Sequence, residues 1–163
     1  MREFRLATGG LTTVNASLTL TFVNPIAAPN VNLEFLRFWV GQSLNATSAQ
    51  QRVEVVTQVT AFPTLVSQTP SKLKLTDAVS VITGATTGAA GTCGVNASAE
   101  GAGAKTVTYD DAFNVLTGFL HVPTLAETLI APAGFASGIG LFLPAAPIWG
   151  TTGGSWGLVY REV

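Results

Sequence analysis

Residues 11–23 read LTTVNASLTLTFV, and the second half of this stretch decides the fold class. Leu18, Leu20 and Phe22 alternate with threonines, so apolar and polar side chains point to opposite faces of an extended chain. Threonine and the aromatic residues also favour strands over helices. The stretch therefore predicts a β-strand with one apolar face.

A second strand is predicted at residues 33–40, LEFLRFWV. Strict alternation puts these side chains on two faces, with Leu33, Phe35, Arg37 and Trp39 on one and Glu34, Leu36, Phe38 and Val40 on the other. Both faces are then largely apolar. This pattern is typical of a central strand, or of a strand with one face covered by a neighbour.

The two-residue period continues through the rest of the chain. Further strands are predicted at residues 51–60, 79–83, 106–109, 115–122, 139–143 and 158–163. No segment keeps the spacing of an amphipathic helix, and residues 123–132 would hold one helical turn or an irregular edge. The pattern predicts an all-β protein, an antiparallel β-sandwich of jelly-roll type with about eight strands and long loops.

The length of 163 residues suits a single core, so one domain is predicted over residues 1–163. Within it, residues 84–105 depart from the strand pattern because they are rich in glycine and alanine and contain almost no large apolar side chain. This composition predicts a long surface loop, or an arm that orders on a partner. Gly91 and Gly94 in this segment are candidate contact residues.

Charge is scarce along the chain, because only 10% of residues are charged, against about 25% on average. Protein interfaces are depleted in charged side chains, so the scarcity predicts a surface largely covered by other chains. A neutral, threonine-rich exterior is the alternative. The net charge of −1 gives no field for a phosphate backbone, so no nucleic acid partner is expected.

No signal peptide and no run of about 18 apolar residues is found, so we expect no membrane partner and synthesis in the cytosol. The string GGSWG at residues 153–157 matches the Gly-x-Ser-x-Gly nucleophile elbow. Only eight residues follow Ser155, and they contain neither Asp nor His. The acid and the histidine that follow the serine in that motif are therefore missing. A glycine turn before a final strand is predicted instead.

His121 is the only histidine and Cys93 the only cysteine, which is too few ligands for a zinc site. Cys93 is expected to be a small buried residue or a loop thiol. The adjacent Asp110 and Asp111 favour a capped turn over a calcium loop, because neighbouring side chains of an extended chain diverge. We therefore expect no enzyme activity, no metal and no cofactor.

Aromatic residues near the two ends are the remaining candidates for a functional surface. Trp149 and Trp156 flank the glycine-rich residues 150–154, where exposed rings would anchor a partner or stack on a sugar. Filling the core is the alternative role for each of them. Phe4 and Tyr160, in the first and last strands, are further candidate interface residues because the termini are expected to contact a partner.

The layout resembles the decoration, or cement, proteins that tailed bacteriophages carry on the outside of their capsids. The likeness lies in the polar strand at residues 2–7, the strand ending Phe38-Trp39-Val40-Gly41, the strand at 51–60, residues 110–113 leading to 119–123, and the closing strand at 157–162. The insertion at residues 84–105 departs from the common pattern of that family.

The resemblance implies a structural role without catalytic residues or cofactor. Jelly-roll protomers of that kind, often trimeric, sit where capsomers meet and tie neighbouring shell subunits together. The implied partner is the major capsid protein, and the implied location is the capsid surface of a virion, with a homotrimer favoured. The alternative is a carbohydrate- or receptor-binding module of a virion fibre or tail, while a hydrolase and a major capsid protein are further alternatives.

Overall fold

A computed structural model of the protein describes residues 1–11, 13–25, 31–43, 48–151 and 153–163. Within these residues the chain forms thirteen β-strands and no helix. The strands are β1 (Arg2–Gly9), β2 (Leu18–Asn24), β3 (Leu33–Gln42), β4 (Gln50–Gln58), β5 (Thr64–Ser67), β6 (Ser71–Lys72), β7 (Thr83–Gly84), β8 (Thr92–Ala99), β9 (Lys105–Asn114), β10 (Phe119–His121), β11 (Leu129–Ala131), β12 (Gly138–Leu143) and β13 (Gly154–Glu162).

The strands form two sheets that pack as a sandwich. Sheet A has the order β10-β3-β13-β1-β6, and β11 pairs with β3 on the same side as β10. Sheet B has the order β5-β8-β2-β12-β4-β9, and β7 pairs with β8. Every pairing is antiparallel except the two-residue contact between β7 and β8.

The long strands pair in nested order. β1 pairs with β13, β2 with β12, β3 with β10, and β4 with β9. Successive pairs alternate between sheet A and sheet B, which is the winding of a jelly roll. The predicted fold class is therefore confirmed. Residues 59–104, between β4 and β9, form β5 to β8. β6 joins the edge of sheet A, and β8, with β5 and β7 paired to it, extends sheet B beyond β2.

Large apolar side chains from both sheets fill the space between them. The largest fully buried ones are Trp156, Tyr160, Phe4, Phe22, Phe35, Phe38, Leu6, Leu18, Leu20, Leu33, Ile82 and Ile139. Burial of one such side chain stabilises the fold by about 1.5–3 kcal/mol relative to exposure in water. The closure of sheet A on sheet B is therefore the main source of stability.

Strand β3 does not alternate strictly, because its pairing with β13 skips Leu36. A β-bulge of this kind changes which face the following side chains occupy. Phe35 and Phe38 are consequently both buried, while Arg37 and Trp39 lie on the outer face of sheet A. The single alternation predicted for this strand is wrong beyond the bulge.

The glycine- and alanine-rich insertion is not a loop or an arm as predicted for residues 84–105. Its middle forms β8, which lies inside sheet B between β2 and β5. Cys93, Val95 and Ala97 alternate along β8 and are buried in the core. The two-residue alternation of a strand is present in this segment, but small side chains occupy its buried positions.

Close packing explains why glycine occupies position 94 of this strand. A Cβ added to Gly94 would lie 2.8 Å from the Cβ of Leu65 and 2.9 Å from the carbonyl oxygen of Ala85.

Burial raises the pKa of the Cys93 thiol to about 12, and its Sγ lies 3.3 Å from the carbonyl oxygen of Gln68. Cys93 is therefore an unreactive core residue.

A buried hydrogen-bond chain joins the two sheets. The indole Nε1–H of Trp156 donates to Oδ1 of Asn96 at 2.8 Å, and Nδ2 of Asn96 donates to the carbonyl oxygen of Gly10 at 2.6 Å. Asn96 has a φ of 52°, a conformation that asparagine adopts more readily than most residues. It thus supplies the acceptor that a buried indole needs.

Substitution of Asn96 by alanine should destabilise the fold by about 3 kcal/mol, because two buried polar groups lose their partners and alanine disfavours a positive φ. Denaturant unfolding measures the change in the free energy of unfolding. Glycine adopts a positive φ without strain, but it cannot make the two hydrogen bonds. Asn96→Gly should therefore still lose most of this free energy of unfolding. Asn15→Ala, at a half-buried position with long hydrogen bonds of 3.4 and 3.5 Å, is the control. A loss below about 1 kcal/mol for Asn96→Ala would contradict the role of this residue.

Candidate functional site

The aromatic residues predicted to form an interface lie in the core. Phe4, Tyr160 and Trp156 are fully buried, and Trp149 is nearly so. The rings of Phe4 and Tyr160 are 5.6 Å apart, and those of Trp149 and Trp156 are 6.3 Å apart. A partner that contacted these side chains would have to open the sandwich. All four therefore fill the core, which is the alternative role predicted for Trp149 and Trp156.

The two glycines predicted as contact residues also have internal roles. Gly94 lies within β8, where the neighbouring backbone leaves no room for a side chain. Gly91 has a φ of 71° and donates its N–H to the carbonyl oxygen of Asn24 at 2.9 Å. Both residues therefore serve the internal packing of sheet B.

Ser155 lies within β13 on an exposed, extended stretch of sheet A, opposite Gly9. The strand continues on its C-terminal side through Glu162, so no strand-to-helix turn follows the serine. The geometry of a nucleophile elbow is absent here. The predicted final strand is observed and begins earlier than expected, at Gly154.

The two adjacent aspartates lie within β9, so the predicted capped turn is wrong. Asp110 faces Arg52 of the neighbouring strand at 3.1 Å, while Asp111 accepts a hydrogen bond from the hydroxyl of Tyr109 at 3.3 Å. The strand separates the two carboxylates onto different partners. Among the described residues, no group of three or more His, Cys, Asp or Glu side chains could hold a metal ion.

A cleft of about 290 Å³ lies between the free edges of the two sheets, bordered by β9 on one side and by β10 and β11 on the other. Phe38 and Val55 line it from the core, and Tyr109, His121 and Glu127 line it nearer the solvent. The ring of His121 stacks on that of Tyr109 with centroids 3.9 Å apart. The volume falls at the lower limit of small-molecule sites.

Partial burial lowers the pKa of His121 below 6.5, although Glu127 and Asp111 act in the opposite direction. The neutral imidazole is thus the form that stacks on Tyr109 at neutral pH. Among the described residues that line the cleft, none is a serine or cysteine that this imidazole could activate, and the hydroxyls of Thr108 and Thr128 donate to backbone carbonyls. The sequence singled out His121 but gave no sign of its aromatic partner, because the two strands meet only in the folded chain.

Exposed apolar side chains collect on opposite edges of sheet A. The β10–β11 patch comprises Val122, Leu125 and Ile130. The β6 patch comprises Met1, Leu73, Leu75 and Val79. Two hydrogen bonds hold the β6 patch together, from the Leu73 N–H to the Glu3 carbonyl at 3.0 Å and from the Arg2 guanidinium to the Val79 carbonyl at 3.2 Å.

Several side chains of the two patches are almost fully exposed. Leu125 is 99% exposed, Leu75 is 89% exposed and Val79 is 72% exposed. The edge strands beside them have only two or three residues, so backbone pairing with a further strand is limited and side chains must provide the contact. Exposed apolar side chains grouped at the edge of a sheet are typical of an interaction site.

Comparison of the chain with protein-family models, with curated proteins and with solved structures found no match. In the part of the chain that the structure describes, no helix is long and apolar enough to cross a membrane.

The single histidine gives a direct test of the cleft. We expect the Cε1–H resonance of His121 to titrate in NMR spectra with a midpoint below 6.5, because burial disfavours the charged imidazole. As the pH falls, the imidazole of the unfolded chain is protonated at a higher pH than that of the folded chain. Between pH 6.5 and the lower pKa of the folded state, protonation of His121 therefore decreases the stability of the fold.

His121→Phe keeps a ring on Tyr109 and should remove this part of the pH dependence, measured as the difference in unfolding free energy between the two proteins. A midpoint at or above 6.5 would show that Glu127 and Asp111 outweigh burial and would contradict the description of the cleft.

Proposed function

We propose that this protein is a structural virion protein that decorates and stabilises the outer surface of a phage capsid by bridging neighbouring capsid subunits. It works as a homo-oligomer, with a trimer favoured, and its partner is the major capsid protein. The observation that carries the proposal is the presence of exposed apolar side chains on both edges of sheet A.

The positions of the two patches favour a ring of copies. Four inter-strand steps separate the outer strands of sheet A, which places the β6 patch and the β10–β11 patch about 19 Å apart. The patches consist of different residues, so contact between one patch and the other is heterologous. Heterologous contacts close into rings when the rotation between copies permits.

Fold and composition support the same function. Jelly rolls recur in viral capsid proteins, although fold alone never fixes function. The chain also has few charged side chains, and among the described residues most of those are engaged with one another, as in Arg2–Glu162, Lys105–Glu100 and the pairs of Arg52 and Arg161. A surface that contacts many neighbouring chains is expected to carry few unpaired charges.

The alternative function is glycan or receptor binding by a virion fibre or tail. It depends on exposed rings at Trp149 and Trp156, and both rings are buried. The cleft beside Tyr109 offers an aromatic surface, but His121 already covers one side of that ring. Surface assembly is therefore the function that the described residues favour.

The proposal predicts that the purified chain pellets with capsid shells of the virus that encodes it when those shells are prepared without this protein. Leu125→Ser, which makes the β10–β11 patch more polar, should weaken pelleting by about tenfold or more in apparent affinity, because many copies act together. The assay is cosedimentation over a range of protein concentrations.

Val66→Thr is the matched control, since Val66 is 38% exposed on β5 at the far edge of sheet B. This variant should pellet as the unchanged protein does. If the unchanged protein stays in the supernatant at every concentration, the capsid function is wrong.

A further inference from the structure

The outer face of sheet A is organised in rows that cross β1, β13 and β3. One row contains Glu3, Arg161 and Glu34, and the next contains Arg5, Val159 and Arg37. The pairing registers therefore place two arginines in one row, on either side of Val159, next to a row that contains both charges.

The first row is neutralised internally, apart from one excess negative charge. Arg161 donates to Oε1 of Glu3 at 2.9 Å and to Oε2 of Glu34 at 3.3 Å. Arg161 therefore pairs with both carboxylates of this face, those of Glu3 and Glu34. All nine acidic side chains of the protein lie in the described residues, and none forms an ion pair with Arg5 or Arg37.

Arg5 and Arg37 pack on Trp39 instead. Their guanidinium carbons lie 5.0 and 5.4 Å from the centroid of its ring. The ring reaches across the neighbouring strand over Gly157, where any side chain would collide with it. Cation–π packing of this kind holds the position of a guanidinium and leaves its N–H groups available for an anion.

A depression of about 250 Å³ lies at this cluster and is lined by Arg5, Arg37, Trp39 and Leu120. Both arginines are exposed, and no hydrogen bond to another described residue uses their N–H groups. Leu120 is 65% exposed and adds an apolar wall. The cluster therefore presents two fixed cations beside an apolar surface.

We propose that Arg5 and Arg37, held by Trp39, form a binding site for carboxylate side chains of an acidic protein segment with apolar residues next to the acids. Each planar guanidinium binds a carboxylate through two parallel N–H···O bonds. Leu120 receives the neighbouring apolar side chain. The site lies on the open face of sheet A, whereas the proposed ring contacts use its edges, so it goes beyond the proposed function.

A protein carboxylate suits this site better than a polyphosphate. The net charge of the chain is −1, so no long-range field gathers a nucleic acid. The apolar side chain of Leu120 would also find no apolar group to contact on a phosphate backbone.

The test is NMR titration of the full chain with the peptide acetyl-Leu-Glu-Leu-Glu-Leu-amide. Saturable shifts are expected at the indole N–H of Trp39 and the Nε–H of Arg5 and Arg37, with no shift at the buried indole of Trp156. The same peptide with glutamine in place of both glutamates should bind at least about tenfold more weakly, because it lacks the charge that pairs with a guanidinium.

The variant Arg5→Gln/Arg37→Gln should lose the peptide response, and Arg5→Lys/Arg37→Lys should keep only part of it, since lysine has the charge without the planar fork. Arg52→Gln, an exposed arginine of sheet B, is the matched control and should bind as the unchanged protein does. Absence of peptide binding, or binding that survives loss of both arginines, would overturn the inference. Tighter binding of a single-stranded oligonucleotide at the same resonances would also overturn it.

Discussion

The pairing of the two ends of the chain is the contact on which the rest of the structure depends. β1 and β13 run side by side from Arg2 opposite Glu162 to Gly9 opposite Ser155. The inward residues of β13 include Trp156 and Tyr160, which occupy the centre of the core. Because this contact joins residues more than 140 positions apart in the sequence, it is strongly non-local, and folds rich in such contacts form slowly.

The same strand organises the surface on its other side. Gly157 makes room for the ring of Trp39, and Arg161 collects Glu3 and Glu34. Val159 lies between the arginines of the next row and is only 4% exposed, although it points away from the core. One face of β13 therefore lines the core, and its other face lies beneath the candidate carboxylate site through Gly157 and Val159. A shift of its register by one residue would turn its core side chains outward.

Sequence periodicity predicted the sandwich and most of its long strands, because alternation at Leu18, Leu20 and Phe22 reflects one buried face. It missed β8, since close packing against Leu65 required small residues that resemble a loop by composition. It also missed the bulge at Leu36, which moves Trp39 and Arg37 to the outer face. Burial of Trp149 and Trp156 depends on contacts between distant strands, which no local pattern reports.

The surface thus separates into parts with different chemistry. The edges of sheet A carry exposed apolar side chains, and its open face carries two arginines, Arg5 and Arg37, that pack on Trp39 and form no ion pair with a described residue. In the cleft between the sheet edges, the ring of His121 stacks on that of Tyr109. Assembly into a ring would cover the edges and leave the open face for a further partner. This division favours a structural protein that contacts copies of itself and a second chain at the same time.

Disulfide formation between cysteines placed in the two edge patches tests the ring most directly. Leu75→Cys and Leu125→Cys each add one exposed thiol, while Cys93 stays buried and unreactive. On mild oxidation, a mixture of the two single variants should give linked pairs, and the double variant should give a ladder that ends at a closed oligomer, expected to be a trimer. If each single variant links to itself as readily as to the other, or if no linked species forms, the head-to-tail contact between the two edges is wrong.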